Sequence, residues 1–111
     1  MVGIALKYAV EQALEDLKVE AEARRFTIDE FLRRAADSIE SVLRERAGVE
    51  SCIKRFHAAG DQWARLFLEC TVPGKPEKLV VRVPLYFTVN LADGRVYGPG
   101  YEEVLILESE R

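Results

Sequence analysis

An α+β fold follows from three features of the sequence. Apolar residues recur at intervals of three and four through the first 47 positions, the period changes to two from about residue 51, and the connections between the period-two runs are short and turn-forming. Short connections make antiparallel neighbours. The simplest arrangement is two N-terminal amphipathic helices packed on one face of a four-stranded antiparallel meander sheet. With 111 residues, 49% of them hydrophobic, the chain reads as a single domain over 1–111 with enough apolar surface for a core.

The first helix is predicted over 4–24, where Leu6, Ala9, Val10, Ala13, Leu14, Leu17 and Ala21 form one broad stripe. Ile4, Tyr8 and Val19 fall about half a turn away, as scattered surface residues or as a second contact surface for another subunit. The second helix, over 28–47, is announced by Thr27-Ile28-Asp29-Glu30, a capping box in which hydroxyl and carboxylate each satisfy an orphan backbone amide. Phe26 and Phe31 occupy the staple positions. The stripe runs Ile28, Phe31, Leu32, Ala35, Ile39, Val42 and Leu43, and Gly48 is placed to end the helix. Its polar side, Arg33, Arg34, Asp37, Glu40, Arg44 and Glu45, is of mixed sign and reads as a solvated face.

Strands are predicted near 51–59, 63–72, 78–91 and 102–109. They are joined by Gly60-Asp61, by Pro73-Gly74-Lys75-Pro76 and by Ala92-Asp93-Gly94-Arg95, whose Asp-Gly pair is the strongest hairpin signal in the chain. Val96 and Tyr97 begin the return, and Gly98-Pro99-Gly100 makes a bulge or break within it.

The turns set a register. A first hairpin about Asp61 places Cys52 opposite Cys70, Arg55 opposite Phe67, His57 opposite Arg65 and Ala59 opposite Trp63. The second hairpin places Trp63 opposite Tyr86, Phe67 opposite Arg82, and Leu66, Leu68 and Cys70 opposite Val83, Val81 and Leu79. One face is then apolar: Phe56, Leu66, Leu68, Cys70, Leu79, Val81, Val83, Leu85, Phe87 and Val89, the side the helices must cover. Lys54 does not fit it, so either its stem snorkels at the edge strand or the register slips by one there. For Cys52 and Cys70 a cross-strand disulfide and a reduced buried pair are both open.

The opposite face collects Arg55, His57, Trp63, Arg65, Phe67, Arg82, Tyr86 and Thr88, mixing aromatics with arginines on adjacent strands. Charge divides the same way. Residues 49–95 hold seven Lys and Arg against five Asp and Glu, while 1–48 hold eight against ten and 96–111 one against four. The acidic total therefore hides a mildly basic sheet.

Several functions are disfavoured. No apolar run is long enough to span a membrane and no basic leader precedes one, so a cytoplasmic location is expected. Two Cys and one His lack metal-ligand spacing, and no cofactor is expected. The chain is not read as an enzyme. His57 has only Glu69 as a carboxylate on its face, no C-x-x-C is present, Gly94–Gly100 opens no helix, and Glu102 and Glu103 point to opposite sides. There is no helix-turn-helix pattern, zinc finger or basic helix, which disfavours sequence-specific duplex reading. Arg over Lys by 11 to 5, with few amides and one Met, leans toward a thermophilic host.

The aromatic and basic face fits two functions. Trp63, Phe67 and Tyr86 offer flat surfaces for unpaired bases, with Arg55, His57, Arg65 and Arg82 beside them for phosphates. The same aromatics could instead be buried between subunits of an assembly module, with the arginines at the rim.

The order of elements, two amphipathic helices then four antiparallel strands carrying Trp63, Arg65, Phe67, Arg82 and Tyr86 on one face of a short Arg- and Glu-rich chain, resembles the DNA-binding domain of ThermoDBP and ThermoDBP-related proteins. These are single-stranded DNA-binding proteins of hyperthermophilic archaea that lack an OB fold. The resemblance covers nearly the whole chain and carries no short diagnostic motif. It implies single-stranded DNA, and also single-stranded RNA, as ligand, and homo-oligomers (dimer or tetramer) whose subunits jointly enclose the strand. The further C-terminal dimerising helix of ThermoDBP has no counterpart before Arg111, so an oligomer here would use another surface, such as that of Ile4, Tyr8 and Val19.

Overall fold

The computed structural model describes residues 3–58, 60 and 62–109. Two helices, α1 (Ile4–Arg24) and α2 (Ile28–Ala47), precede β1 (Ser51–Ala58), β2 (Trp63–Thr71), β3 (Lys78–Val89), β4 (Val96–Tyr101) and β5 (Leu105–Ser109). All pairings are antiparallel, in the order β1-β2-β3-β4 with β5 also on β3. The α+β class and the meander order are those predicted.

The return strand differs from expectation. Predicted as one strand over 102–109, it is two short strands lying end to end along one edge of β3. β4 pairs with Leu85–Val89 and β5 with Lys78–Arg82. The register shifts between Tyr86 and Thr88, opposite Gly98 and Pro99, and Gly98 sits at φ 60° where a proline next to it can donate nothing to a ladder. The chain then leaves the sheet at 102–104 so that Val104, 1% exposed, can enter the core. The first strand ends at Ala58, and position 59, expected opposite Trp63, lies outside the described residues.

The helical joint is fastened to the β3–β4 hairpin. The Phe26 carbonyl accepts from the Val96 N–H at 2.7 Å, the Arg95 guanidinium donates to the Arg25 carbonyl at 2.9 Å, and Arg25 pairs with Asp93 at 3.1 Å. The capping box is present: the Glu30 N–H donates to Thr27 Oγ1 at 3.2 Å and the Thr27 N–H to Glu30 Oε1 at 2.9 Å. Phe26 and Phe31 are both buried beside it.

The core lies between the helices and one sheet face. Leu66, Leu68, Cys70, Leu79, Val81, Val83, Leu85 and Phe87 are buried against Val10, Leu14, Leu17, Phe31, Ile39 and Leu43, with Phe31 and Phe87 ring to edge at 5.9 Å. Val89 is half-buried. Phe56 keeps the expected face, opposite the buried Leu66, yet is 42% exposed. It belongs to the edge strand, which packs on the core only through Cys52.

Lys54 keeps the expected register and faces α2, where its Nζ pairs with Asp37 at 3.1 Å and Glu40 at 2.6 Å. On the other side, the Tyr101 hydroxyl donates to Glu15 Oε2 at 2.8 Å and holds α1 to β4. Burial, with the Glu15 hydrogen bond and charge behind it, pushes that phenol up to about 12. Ile4, Tyr8 and Val19 are 68%, 60% and 72% exposed, leaving that side of α1 unpacked.

Cys52 and Cys70 are bonded, with their Cα atoms 4.0 Å apart and a sequence separation of 18. A loop of that length is worth about 3 kcal/mol through the unfolded chain. Reduction is expected to lower stability by about that amount, read as a shift in the urea midpoint with and without reductant. Coincident curves would show that the bond contributes nothing.

The Lys54 pair gives a pH dependence. The Lys54 hydrogen bond holds the Glu40 carboxyl below the usual carboxylate range, and Glu40 raises the ammonium in return. A carboxyl depressed by folding contributes stability above its unfolded pKa and loses it as pH falls through the folded one. Stability is expected to fall below about pH 4, and Lys54→Met to flatten that acid limb. Urea midpoints across acid and neutral pH check this, and identical slopes for variant and parent would exclude the pair as a contributor.

Candidate nucleic-acid interface

Residues opposite one another in antiparallel strands point to the same side, so the pairings stack the outward side chains into rungs across the sheet. One rung is Ile53, Glu69, Val80 and Leu107. The next is Arg55, Phe67, Arg82 and Leu105, then His57, Arg65 and Pro84, then Trp63, Tyr86 and Gly100. Successive rungs are about 7 Å apart and the Phe67 and Trp63 rungs about 13 Å, from the rise of a strand. Arg55, His57, Trp63, Arg65, Phe67, Arg82 and Tyr86 all share this face, with the predicted neighbours.

Two ring groups stand on it. Phe67, half-buried, is flanked by His57 edge-on at 5.2 Å and by the Arg82 guanidinium at 5.6 Å from its centroid. Trp63 and Tyr86 form the second, their centroids 5.5 Å apart and their planes tilted by 54°. At 39% and 37% exposed, both rings are seated on the sheet yet open to a partner. Among the described residues, no carboxylate pairs with Arg55, Arg65 or Arg82, so their charge is available. Glu69 is neutralised by Lys78 at 3.2 Å.

The surface between these groups is shallowly hollowed. A depression of about 330 Å³ is bounded by Arg55, His57, Phe67, Glu69 and Arg82, and one of about 210 Å³ by Arg65, Phe67, Arg82, Glu103 and Leu105. Phe67 and Arg82 thus form a ridge with a hollow on either side. A third hollow, about 270 Å³, adjoins Trp63 and Tyr86. The cavity of about 390 Å³ between the start of α1, the end of α2 and the β2–β3 turn has no aromatic lining and charges of mixed sign, among them Arg46, Lys75 and Glu77. It offers neither a stacking surface nor a uniform field.

Sequence reasoning missed the aliphatic members of the face. Ile53, Leu105 and Leu107 are 52%, 43% and 45% exposed, and Val80 lies between the first and last of them. Ile53 and Val80 share the parity of Arg55 and Arg82 and were legible by that rule. Leu105 and Leu107 required the register of β5, which the break at 102–104 concealed. Gly100 was read only as part of a bulge. In the structure the Tyr86 ring lies over it, and a Cβ there would collide with the phenol carbons.

Among the described residues, no group of three or more His, Cys, Asp or Glu is placed to hold a metal ion, and no helix is long and apolar enough to cross a membrane. No family model, no curated protein and no solved structure matches the chain.

Gly100 supplies a test of the Trp63–Tyr86 platform. The colliding atoms belong to a side chain with solvent above it, so the ring can move aside. Gly100→Ala is expected to cost at most about 1 kcal/mol while shifting Trp63 fluorescence, because Tyr86 leaves its neighbour. An unaltered emission spectrum would show that the two rings are not packed as described.

Proposed function

We propose that this chain binds single-stranded nucleic acid, DNA or RNA, on the outer face of its sheet without reading a fixed sequence. The observation that carries the reading is the alternation of aromatic rings with uncompensated arginines on a sheet face that neither α1 nor α2 covers. Trp63 with Tyr86 and, about 13 Å away along the strand, Phe67 provide two stacking surfaces. Arg55, Arg65 and Arg82, with His57, face the backbone phosphates. Every base has a π-face, so stacking tolerates sequence. The resemblance to ThermoDBP-related proteins, which rests on element order and face composition, leads to the same ligand. On this reading the protein is not an enzyme and needs no cofactor.

A second reading is favoured by the aliphatic rung. Ile53, Val80 and Leu107 neither stack well nor attract phosphate, and rows of exposed aliphatics are usually covered. A second copy seated on them would make a homo-oligomer, and an assembly module would bury the aromatics as well.

Trp63→Ala is expected to weaken binding of a single-stranded 20-mer by about 1–3 kcal/mol while leaving the far-ultraviolet spectrum unchanged. With about three phosphates neutralised, log K is expected to fall against log salt with a slope near −2, and Arg82→Ala to flatten it by about 0.7. Fluorescence anisotropy at several salt concentrations measures both. If oligonucleotide leaves the anisotropy unchanged and Trp63→Ala alters the particle mass instead, the assembly reading replaces this one.

A further inference from the structure

The hollow beside Trp63 and Tyr86 differs from the other two in having no arginine or histidine in its lining. Gln62, Thr88 and Glu102 line it around the two rings. Its volume, about 270 Å³, lies below the roughly 300–1,000 Å³ of pockets for drug-sized ligands. That suits one flat ring system.

Glu102 is held there by its backbone. Its N–H donates to the Pro84 carbonyl at 2.9 Å, just where the return chain leaves the ladder. Among the described residues its carboxylate has no ion pair and no side-chain hydrogen bond, whereas the next residue, Glu103, pairs with Lys7 at 3.6 Å. A free carboxylate beside a stacking platform is adverse for a ligand whose backbone is anionic. It becomes favourable when the stacked ring brings donors to it.

Resting on the reading of this face as a single-strand platform, we infer that the Trp63–Tyr86 hollow is a base-selective subsite in which Glu102 favours bases with an exocyclic amino group over thymine and uracil. An ionised carboxylate only accepts hydrogen bonds. Cytosine and adenine present one amino group, and guanine presents its amino group beside a ring N–H, two parallel donors for two oxygens. Thymine and uracil present one N–H flanked by two carbonyl oxygens, which the carboxylate repels. Gln62 and Thr88 can each donate or accept, so neither opposes this choice. Binding is then tolerant along the strand and selective at one position.

The test compares labelled 20-mers of dT, of dC, and of dT with a guanine at every fourth position, by anisotropy at one salt concentration. The parent protein is expected to prefer the dC and guanine-bearing strands over dT by about fivefold or more, the low end of one base contact's worth. Glu102→Gln restores a donor and removes the charge. Losing a negative charge raises affinity for every strand alike, so the informative quantity is the ratio between strands, which is expected to fall toward one. Glu45→Gln removes the same charge from the solvated face of α2 and is expected to leave the ratio intact. Equal affinity for all strands in the parent, with binding still lost in Trp63→Ala, would overturn the subsite and leave the platform standing. A ratio that survives in Glu102→Gln would equally overturn the role of Glu102. Absence of binding to every strand would instead remove the platform reading on which the subsite rests.

Discussion

Alternation along β3 is the constraint on which both faces of the sheet depend. Leu79, Val81, Val83, Leu85 and Phe87 are buried beneath the helices, and the residues between them, including Arg82 and Tyr86, point away. Fully burying a side chain of this kind is worth about 1.5–3 kcal/mol, and a slip of one residue would exchange the two sets entirely. The register is therefore enforced by the core. The neighbours of Arg82 and Tyr86 follow from it: β2 is locked to the same register by Leu66 and Leu68, so Phe67 must lie beside Arg82 and Trp63 beside Tyr86. The geometry of the outer face is a by-product of packing on the inner one.

The same dependence explains what was legible in the sequence. Both helices and the first two hairpins carry local signals that agree with their burial: the capping box at Thr27, Gly48, and the turns whose centres set the pairings of Cys52 with Cys70 and Trp63 with Tyr86. Membership of the arginine and aromatic face followed from parity alone. Two things did not follow. The split of the return into β4 and β5 is decided by Val104 finding a place in the core, a tertiary matter that no periodicity announces. Exposure of Phe56 depends on how far the helices reach across the edge strand, and the strand's own apolar alternation is silent on that.

β1 is held by its neighbours more than by the core. Apart from Cys52 it buries nothing, yet it presents Arg55 and His57 to the outer face. Its position rests on the ladder to β2, on the bond between Cys52 and Cys70, and on the pairing of Lys54 with Asp37 and Glu40. The opposite end of the sheet is held differently, by the helical joint fastened to the β3–β4 hairpin and by Tyr101 on α1. Two unlike sets of restraints, a disulfide with an ionic cluster at one margin and hydrogen bonds with one ion pair at the other, keep the rungs aligned.

Lys54 has a further consequence for the sheet as a template. An eight-residue edge strand without proline or bulge offers a row of unpaired amides and carbonyls to any extended segment nearby. A segment adding to β1 in register would bring its inward side chains against an ammonium and two carboxylates, where an apolar residue loses its burial and a charged one meets an occupied partner. The inward charge guards the margin against strand addition, so self-association through this edge is penalised. Fibre-like growth from β1 is thereby discouraged.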